Sequence, residues 1–311
     1  MLWIYIGAGL VLLTVGAEGL IRGASSLARR LGLSELLIGV TLVGFGTSTP
    51  ELVSSLGAAF AGSPGVAVGN VVGSNIANIL LILGLAALIA PIAVGAEGFR
   101  RDAPVVAVAT LAAIGVSFTG EFGRLAGGVF IVLLALYLAW AYVTEKRAVE
   151  EKRLDVPHEE PGPIAPSLIF AVGGLALLIV GAKLLVTGAI GVATALHVSE
   201  ALIGLTVVAV GTSLPELVTS VMASLRGKSD LALGNIVGSN IYNIFGILGA
   251  TALIHPVAAP EEIVRFDNWV MLAATAALIL FALTKNRIER WEGALLVAGY
   301  VAYIAYLAAT A

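Results

Sequence analysis

The stretch Gly46-Thr47-Ser48-Thr49-Pro50-Glu51 decides the fold predicted for this 311-residue chain. It lies in an apolar segment in which Glu51 is the only ionisable side chain between Leu36 and Ala61. A segment of this length and composition predicts a membrane-spanning helix. Pro50 removes a backbone donor at its centre, so the helix is predicted to break there. Because a carboxylate at bilayer depth is costly, Glu51 is a candidate functional residue.

The composition indicates an integral membrane protein. Apolar residues make up 59% of the chain and charged residues only 12%, with a mean hydropathy of +1.02, whereas soluble domains carry about 25% charged residues. The lipid bilayer is therefore the predicted partner, and the formal net charge of −3 gives no indication of nucleic acid binding. The absence of cysteine from the sequence excludes disulfides, thiolate metal sites and cysteine catalysis.

Ten apolar runs are candidate membrane spans, and most are near the ~20 residues that a helix needs to cross the hydrocarbon core. They cover residues 2–21, 35–61, 66–89, 103–118, 125–143, 166–196, 201–225, 231–254, 268–284 and 293–310. The predicted fold class is therefore an all-α integral membrane protein with ten transmembrane helices. Its first five-helix half is 1–143 and its second is 166–311, joined by a charged linker over 144–165.

The distribution of Lys and Arg predicts the orientation. Fourteen of these seventeen residues lie near span ends on one side, which marks the cytoplasmic side of a membrane. Only Arg124 and Arg265 lie near the ends on the other side, and Lys183 lies inside a span. We therefore expect a multi-pass protein of the plasma (inner) membrane, with both termini extracellular and the 144–165 linker cytoplasmic.

The chain repeats itself at an offset of 165 residues. GTSTPELVSS (46–55) matches GTSLPELVTS (211–220) at eight of ten positions. GNVVGSNIANI (69–79) matches GNIVGSNIYNI (234–244) at nine of eleven. The duplication predicts two structurally equivalent halves.

The two repeats, within 35–89 and 200–254, are predicted to be inverted. Each half holds five predicted spans, an odd number, so the second half enters the membrane from the opposite side. Inverted repeats place a substrate site near the bilayer midplane, between discontinuous helices of the two halves. Here those are the second and seventh helices, which carry Glu51 and Glu216.

Glu51 and Glu216 are the only acids near the middle of the predicted spans. Each follows a proline, which frees carbonyl oxygens in the preceding turn, and these turns include Gly44 and Ala209. Carbonyls inside a membrane need a partner, and a bound cation is one. Further candidate oxygen ligands are Thr47, Ser48, Thr212 and Ser213 on the broken helices and Ser74, Asn78, Ser239 and Asn243 on the third and eighth helices.

This donor set consists of hard oxygen atoms, which suit Ca²⁺ and equally Na⁺. Zinc and copper prefer nitrogen and sulfur ligands. Two carboxylates balance one Ca²⁺ or two monovalent ions, so the residues favour competitive cation exchange with no cofactor. A passive channel is disfavoured because the repeat supplies one midplane site. An intramembrane hydrolase with Ser48 or Ser213 as nucleophile lacks a His or Lys at a helix centre to activate it, so we expect no enzyme.

The duplicated GTS-x-PE and G-N-x-x-G-S-N motifs resemble those of the cation/Ca²⁺ antiporter superfamily, and most closely those of its prokaryotic sodium/calcium exchangers. The resemblance covers essentially the whole chain. It implies two inverted five-helix halves with helices 2, 3, 7 and 8 at the core. It also implies that long first and sixth helices slide across this core during alternating access. A monomer is the expected functional unit.

The resemblance also implies roles for single residues. Glu51 and Glu216 would bridge Ca²⁺ and also coordinate Na⁺. The outer sodium sites would use Ser48, Ser213, Thr47 and Thr212 with carbonyls near Gly44 and Ala209, and the inner part would be lined by Ser74, Asn78, Ser239 and Asn243.

The sequence departs from this family at Asn243, where related exchangers often carry an aspartate. Asn78 and Asn243 are therefore both neutral here. This leaves two couplings open: Na⁺/Ca²⁺ exchange, which the GTS-x-PE motif favours, and H⁺/Ca²⁺ antiport by the same two glutamates.

Overall fold

The computed structural model describes residues 2–151, 163–195, 209–284 and 286–310, which are almost entirely helical. Counted through their π-helical turns, the helices are α1 (Leu2–Leu31), α2 (Glu35–Thr47), α3 (Thr49–Phe60), α4 (Gly65–Ile89), α5 (Ala96–Ser117), α6 (Arg124–Glu150), α7 (Ala165–Ala195), α8 (Ala209–Thr212), α9 (Leu214–Leu225), α10 (Ser229–Ile254), α11 (Ile263–Leu283) and α12 (Arg290–Thr310). Short strands lie in the connections: β1 (Ile92–Ala93), β2 (Glu121–Phe122), β3 (Val257–Ala258) and β4 (Arg287–Ile288).

The helix that carries Glu51 is broken, as Pro50 predicts. α2 and α3 meet at Ser48 with a bend of 43° between them. Pro50 lies in the first turn of α3, where its missing N–H costs no helical hydrogen bond. The second half breaks in the same way at Ser213, between α8 and α9, with Pro215 in the first turn. Each break therefore places a glutamate at the start of the following helix.

The core of the molecule is formed where α10 lies directly against α2. A Cβ on Gly234 would clash with the carbonyl oxygen of Leu36, and one on Gly238 would clash with the backbone of Val40. Glycine permits this approach because it has no side chain. α4 and α10 are 72% and 83% buried over their apolar windows, more than any other candidate span in the described residues. Their polar residues are therefore enclosed in protein rather than lipid.

α1 and α7, of 30 and 31 residues, form a second unit beside this core. Their backbones also touch at glycines, since a Cβ on Gly16 would lie 2.8 Å from the carbonyl oxygen of Gly174. A Cβ on Gly9 would lie 2.8 Å from that of Gly181. Gly174 and Gly181 are the repeat equivalents of Gly9 and Gly16, 165 residues further along the chain. The repeat therefore converts one pairing into the other, and the two halves contribute equivalently to this contact.

The two halves also interlock at the ends of the helices. β1 pairs with β4 and β2 with β3, both antiparallel, so each half supplies one strand to each pair. Thr110 lies on α5, and its hydroxyl oxygen is 3.2 Å from that of Thr275, its own equivalent in the repeat. A contact between a residue and its own repeat equivalent is what a two-fold axis between the halves would produce.

The helical boundaries differ from the prediction most clearly at α6. The fifth span was expected to end at residue 143, but the helix continues to Glu150. The first part of the predicted linker is therefore helical, while residues 152–162 lie outside the described part of the chain. The continuation is stabilised by Glu145, which is only 2% exposed because it pairs with Arg101 of α5.

In the described residues, seven helices are long and apolar enough to cross a membrane, or eight if α2 and α3 form one span. The fourth predicted span is α5, whose first turns carry Arg100, Arg101 and Asp102. The seventh is α8 and α9, preceded by residues 201–208 that lie outside the described ranges. The all-helical, multi-pass architecture is confirmed, and the count of ten helices stays a prediction.

Candidate functional site

The two predicted glutamates meet at the helix breaks, each bound to the other half of the chain. Ser48 Oγ donates to Glu216 Oε1 and Ser213 Oγ donates to Glu51 Oε1, both at 2.9 Å. Both carboxylates are only 1% exposed. Since each serine lies three residues before the glutamate of its own half, this reciprocal pairing holds the two breaks face to face.

The second oxygen of each carboxylate makes no hydrogen bond. Glu51 Oε2 and Glu216 Oε2 are buried without a partner among the described residues, as are Asn78 Oδ1 and Asn243 Oδ1. A buried polar atom left unpaired costs about 1–3 kcal/mol, and more if it is charged. Four such oxygens, two of them carboxylate oxygens, are hard ligands of the kind that Ca²⁺ binds, and the amide nitrogen of Asn78 has no described partner either.

The two asparagines lie where α4 and α10 change their helical winding. Asn78 begins the π-helical turn Asn78–Leu83, and Asn243 is the second residue of the turn Tyr242–Leu248. Such turns leave part of the helical hydrogen-bond pattern unmade and are frequent at functional sites. Asn243 Nδ2 donates to Asn75 Oδ1 at 3.2 Å, which fixes the amide and leaves Oδ1 without a partner in the described structure.

Thr47 and Ser239 lie beside the same break, but their hydroxyls are engaged with protein. Thr47 Oγ1 lies 3.0 Å from the carbonyl oxygen of Val43 and 3.0 Å from Asn235 Oδ1. Ser239 Oγ donates to the carbonyl oxygen of Gly44 at 3.3 Å. Both side chains are fully buried.

The carbonyl of Gly44 differs from the expectation that the proline frees it. It accepts from the backbone N–H of Ser48 at 3.2 Å as well as from Ser239. Pro50 lies too far along the chain to remove the bond from Ser48. In this structure the carbonyl of Gly44 is therefore hydrogen bonded, and a cation would have to share or replace these donors.

The remaining predicted site residues are Ser74, Thr212 and Ala209. Ser74 is 6% exposed on α4, one helical turn before Asn78. Thr212 ends α8 directly before Ser213 and lines a cavity between α3 and α7. Ala209 is described only as the first residue of α8.

Two asparagines that were not among the predicted site residues make hydrogen bonds that hold both glutamate helices in place. Asn70 Nδ2 donates to Ser55 Oγ at 2.9 Å and to the carbonyl oxygen of Glu51 at 3.1 Å. The equivalent Asn235 Nδ2 donates to Ser220 Oγ at 2.9 Å and to the carbonyl oxygen of Glu216 at 3.4 Å. The sequence signal was available, because both asparagines and both serines are identical in the two repeats.

Comparison with known proteins identifies the family to which the chain belongs. The family model described as "Sodium/calcium exchanger protein" matches residues 1–143 and 166–309. The chain belongs to the sodium/calcium exchanger family.

The matches to relatives and to solved structures cover nearly the whole chain. It is 41% identical to "Putative antiporter CaxA" of Alkalimonas amylolytica over 96% of both chains. It is 34% identical to "Sodium/calcium exchanger MaX1" of Methanosarcina acetivorans, again over 96% of both. A structure of the sodium-calcium exchanger NCX_Mj, soaked with zero Na⁺ and Ca²⁺, matches 97% of both chains with a TM-score of 0.86 at 34% identity.

Membership settles the class of activity. Sodium/calcium exchangers transport Na⁺ and Ca²⁺ across membranes, so this member is a membrane antiporter and not an enzyme. The described residues hold no group of three or more His, Cys, Asp or Glu side chains of the kind that retains a resident metal.

Proposed function

We propose that this member of the sodium/calcium exchanger family exchanges Na⁺ for Ca²⁺ by alternating access at a midplane site built on Glu51 and Glu216. The observation that carries the proposal is the reciprocal pairing of each glutamate with a serine of the opposite half. It leaves one unpartnered carboxylate oxygen from each half in the same buried place. One Ca²⁺ neutralises both carboxylates, and so do two Na⁺, so the ions compete for one site.

The proposed ligand roles are those that the family resemblance implies, and the unpartnered oxygens of the two glutamates and two asparagines support them. Glu51 and Glu216 bind Ca²⁺ together and also take part in binding Na⁺, while the amide oxygens of Asn78 and Asn243 complete the inner part. The other proposed ligands of this inner part and of the outer sodium sites are Ser74, Ser239, Ser48, Ser213, Thr47 and Thr212, with the carbonyls of Gly44 and Ala209.

The proposed architecture is ten helices in two inverted halves, 1–143 and 166–311, with the linker 144–165 in the cytoplasm. Contacts that exchange under the repeat offset support an axis between the halves, namely the two strand pairs and the Thr110–Thr275 contact. Both termini then lie outside a plasma (inner) membrane, and one copy of the chain is the functional unit.

A second coupling, H⁺/Ca²⁺ antiport, is favoured by one observation. Asn78 and Asn243 are both neutral, so the described site holds two carboxylates and no third acid. Two protons neutralise two glutamates as completely as one Ca²⁺ does. The same site therefore supports either counter-ion, and only flux measurements separate them.

The deciding experiment imposes Na⁺, H⁺ and K⁺ gradients separately on vesicles that contain the purified protein, and follows uptake of radioactive Ca²⁺. We expect uptake to follow the Na⁺ gradient and to be abolished by Glu51→Gln or Glu216→Gln. Glu121→Gln, on an exposed residue outside the site, is the matched control and retains transport. Uptake that follows pH and ignores Na⁺ would replace the proposal with H⁺ coupling, and Ca²⁺ currents without any counter-ion would indicate a channel.

A further inference from the structure

A cavity of about 520 Å³ lies where the basic ends of α1 and α9 meet the start of α7. Five basic residues, three serines and one acid line it. The members that matter here are Arg22, Arg226, Lys228, Ser25, Ser167 and Glu18. Lys228 is paired with Glu35 at 2.6 Å, but the two guanidinium groups of Arg22 and Arg226 outnumber the one carboxylate of Glu18, and this surplus of donors suits an anion.

The charges of Glu18, Arg22 and Arg226 do not cancel. The carboxylate of Glu18 pairs with Arg22 Nε and, at 2.6 Å, with Arg226 Nη2, so one acid serves two guanidinium groups. Their other N–H groups make no hydrogen bond to any residue that the structure describes. The Arg22 and Arg226 side chains are 67% and 53% exposed, so the remaining donors are free to bind the oxygens of a phosphate, which the guanidinium fork matches in geometry.

Ser25 provides an independent observation. The residue is only 4% exposed, yet its hydroxyl has no hydrogen-bond partner among the described residues. A buried hydroxyl without a partner is costly, and this one belongs to the wall of the same cavity. A bound anion inside the cavity would supply the missing acceptor.

An apolar groove of about 540 Å³ continues from this cavity and shares Glu18, Arg22 and Phe170 with it. The groove runs between α1 and α7 over Gly173, Gly174 and Leu177. Its rim carries apolar side chains that face outward, such as Val15 at 53% and Ile169 at 70% exposure. A cationic cavity thus opens into a lipid-facing groove about one helical turn away.

We propose that the cavity and groove together bind one anionic phospholipid. Its phosphate lies among Arg22, Arg226 and the hydroxyl of Ser25, and one acyl chain lies in the groove. The basic ends of the helices lie at the membrane surface on the predicted cytoplasmic side, where anionic lipids are attracted to Lys and Arg. Because Arg226 belongs to the end of α9 and the groove to α1 and α7, the lipid bridges the α1–α7 pair to the core.

The test measures lipid binding by thermal unfolding of the whole purified chain in neutral detergent. Short-chain phosphatidylglycerol should raise the Tm saturably, while phosphatidylcholine of the same chain length should leave it unchanged. Inorganic phosphate at matched concentration separates a lipid site from a free-anion site. An equal rise with phosphatidylcholine, or a rise with phosphate that phosphatidylglycerol does not exceed, would overturn the proposal.

Two variants test the assigned groups. Arg226→Gln and Ser25→Ala should each weaken the apparent affinity for phosphatidylglycerol by about tenfold, because each removes a hydrogen bond to a charged phosphate. Arg147→Gln, which removes an exposed positive charge outside this cavity, is the matched control and should bind as the native chain does. Native affinity in both Arg226→Gln and Ser25→Ala would refute the site whether or not the chain exchanges Na⁺ for Ca²⁺.

Discussion

Glu51 and Glu216 each accept a hydrogen bond from a serine of the opposite half with one carboxylate oxygen. The other oxygen of each carboxylate has no described partner. The serine fixes the orientation of the carboxylate, so the second oxygen needs no rearrangement to bind a cation. Preorganisation of this kind lowers the cost of binding because the side chains are already ordered. The same two oxygens would repel each other when no cation is bound, which favours exchange over release.

The number of acids in the site sets the charge that moves in each cycle. With two carboxylates, one Ca²⁺ or two Na⁺ leave the site equally neutral, so exchange by the native chain should be electroneutral. Asn243→Asp adds a third carboxylate and should draw in a further Na⁺. Ca²⁺ uptake by this variant should then respond to an imposed membrane potential, since one charge is worth ~2.3 kcal/mol per 100 mV. Uptake in vesicles clamped with a K⁺ ionophore measures the difference.

Asn78→Asp is the matched comparison, because Asn78 is the repeat equivalent of Asn243 and is equally buried, at 1% exposure. It should produce the same response to potential. A native chain that is already sensitive to potential would contradict the two-carboxylate balance.

At the level of helices, α6 is longer than its apolar run because its charged end is buried. Glu145 accepts from Arg101 Nη1 at 3.0 Å and from the backbone N–H of Ser34 at 2.5 Å. Arg101 also pairs with Asp102, which accepts from the hydroxyl of Tyr137 at 2.9 Å. The network fixes the start of α2 to α5 and α6, and α2 is the helix that leads to Ser48.

Glu145→Gln should destabilise the protein by about 1.5–3 kcal/mol, because it weakens a buried charge-assisted hydrogen bond from Arg101, which keeps its ion pair with Asp102. Thermal or denaturant unfolding in detergent measures the change. Glu150→Gln, on the exposed last residue of α6, should cost far less. Equal stability of the two variants would show that the network contributes nothing.

The contact between α10 and α2 gives a second prediction about helices. Gly238→Ala places a Cβ against the backbone of Val40, which cannot move aside as a side chain does. Overpacking of this kind costs about 1–3 kcal/mol, so both the Tm and transport should fall. Gly115→Ala is the control, since apart from its chain neighbours and the nearby backbone of its own helix no described heavy atom lies within 4 Å of such a Cβ. A fully stable, active Gly238→Ala variant would contradict the close packing.

At the scale of the protein, α1 and α7 form one unit and the broken helices with α4 and α10 form the other. Glycine contacts join α1 to α7 along their length. The ion pair between Glu18 and Arg226, at 2.6 Å, joins this unit to the end of α9. If alternating access moves α1 and α7 across the core, the ion pair between Glu18 and Arg226 must break in every cycle.

Cross-linking tests that movement, and the sequence contains no native cysteine to interfere. A short bifunctional thiol reagent on Glu18→Cys/Arg226→Cys should stop Ca²⁺ uptake, because it ties α1 to the core. A disulfide in Ser26→Cys/Ser167→Cys, whose native hydroxyl oxygens are 2.9 Å apart, joins α1 only to α7 and should leave uptake intact. Undiminished transport by the first cross-linked variant would contradict relative motion of the two units.

Features that depend on local sequence were predictable. Hydropathy indicates the membrane class, Pro50 and Pro215 predict the breaks, and the two motifs predict equivalent halves. The end of α6 was not predictable from hydropathy. By sequence alone Glu145 is a solvated charge of the linker, and only the structure shows that Arg101 lies beside it. The hydrogen bond from Ser239 to the carbonyl of Gly44 was missed for the same reason, since Ser239 is distant in sequence.

The sequence by itself determined that the protein is a helical membrane protein with two glutamates in duplicated, broken helices. Composition, periodicity and repeats are properties of neighbouring residues, and they suffice for that. Only the tertiary structure decided that Ser48 serves Glu216 and Ser213 serves Glu51, rather than the glutamate next to each in the chain. The physical reason is that packing α2 against α10 brings the two breaks together, and pairing across that contact depends on which backbones can approach.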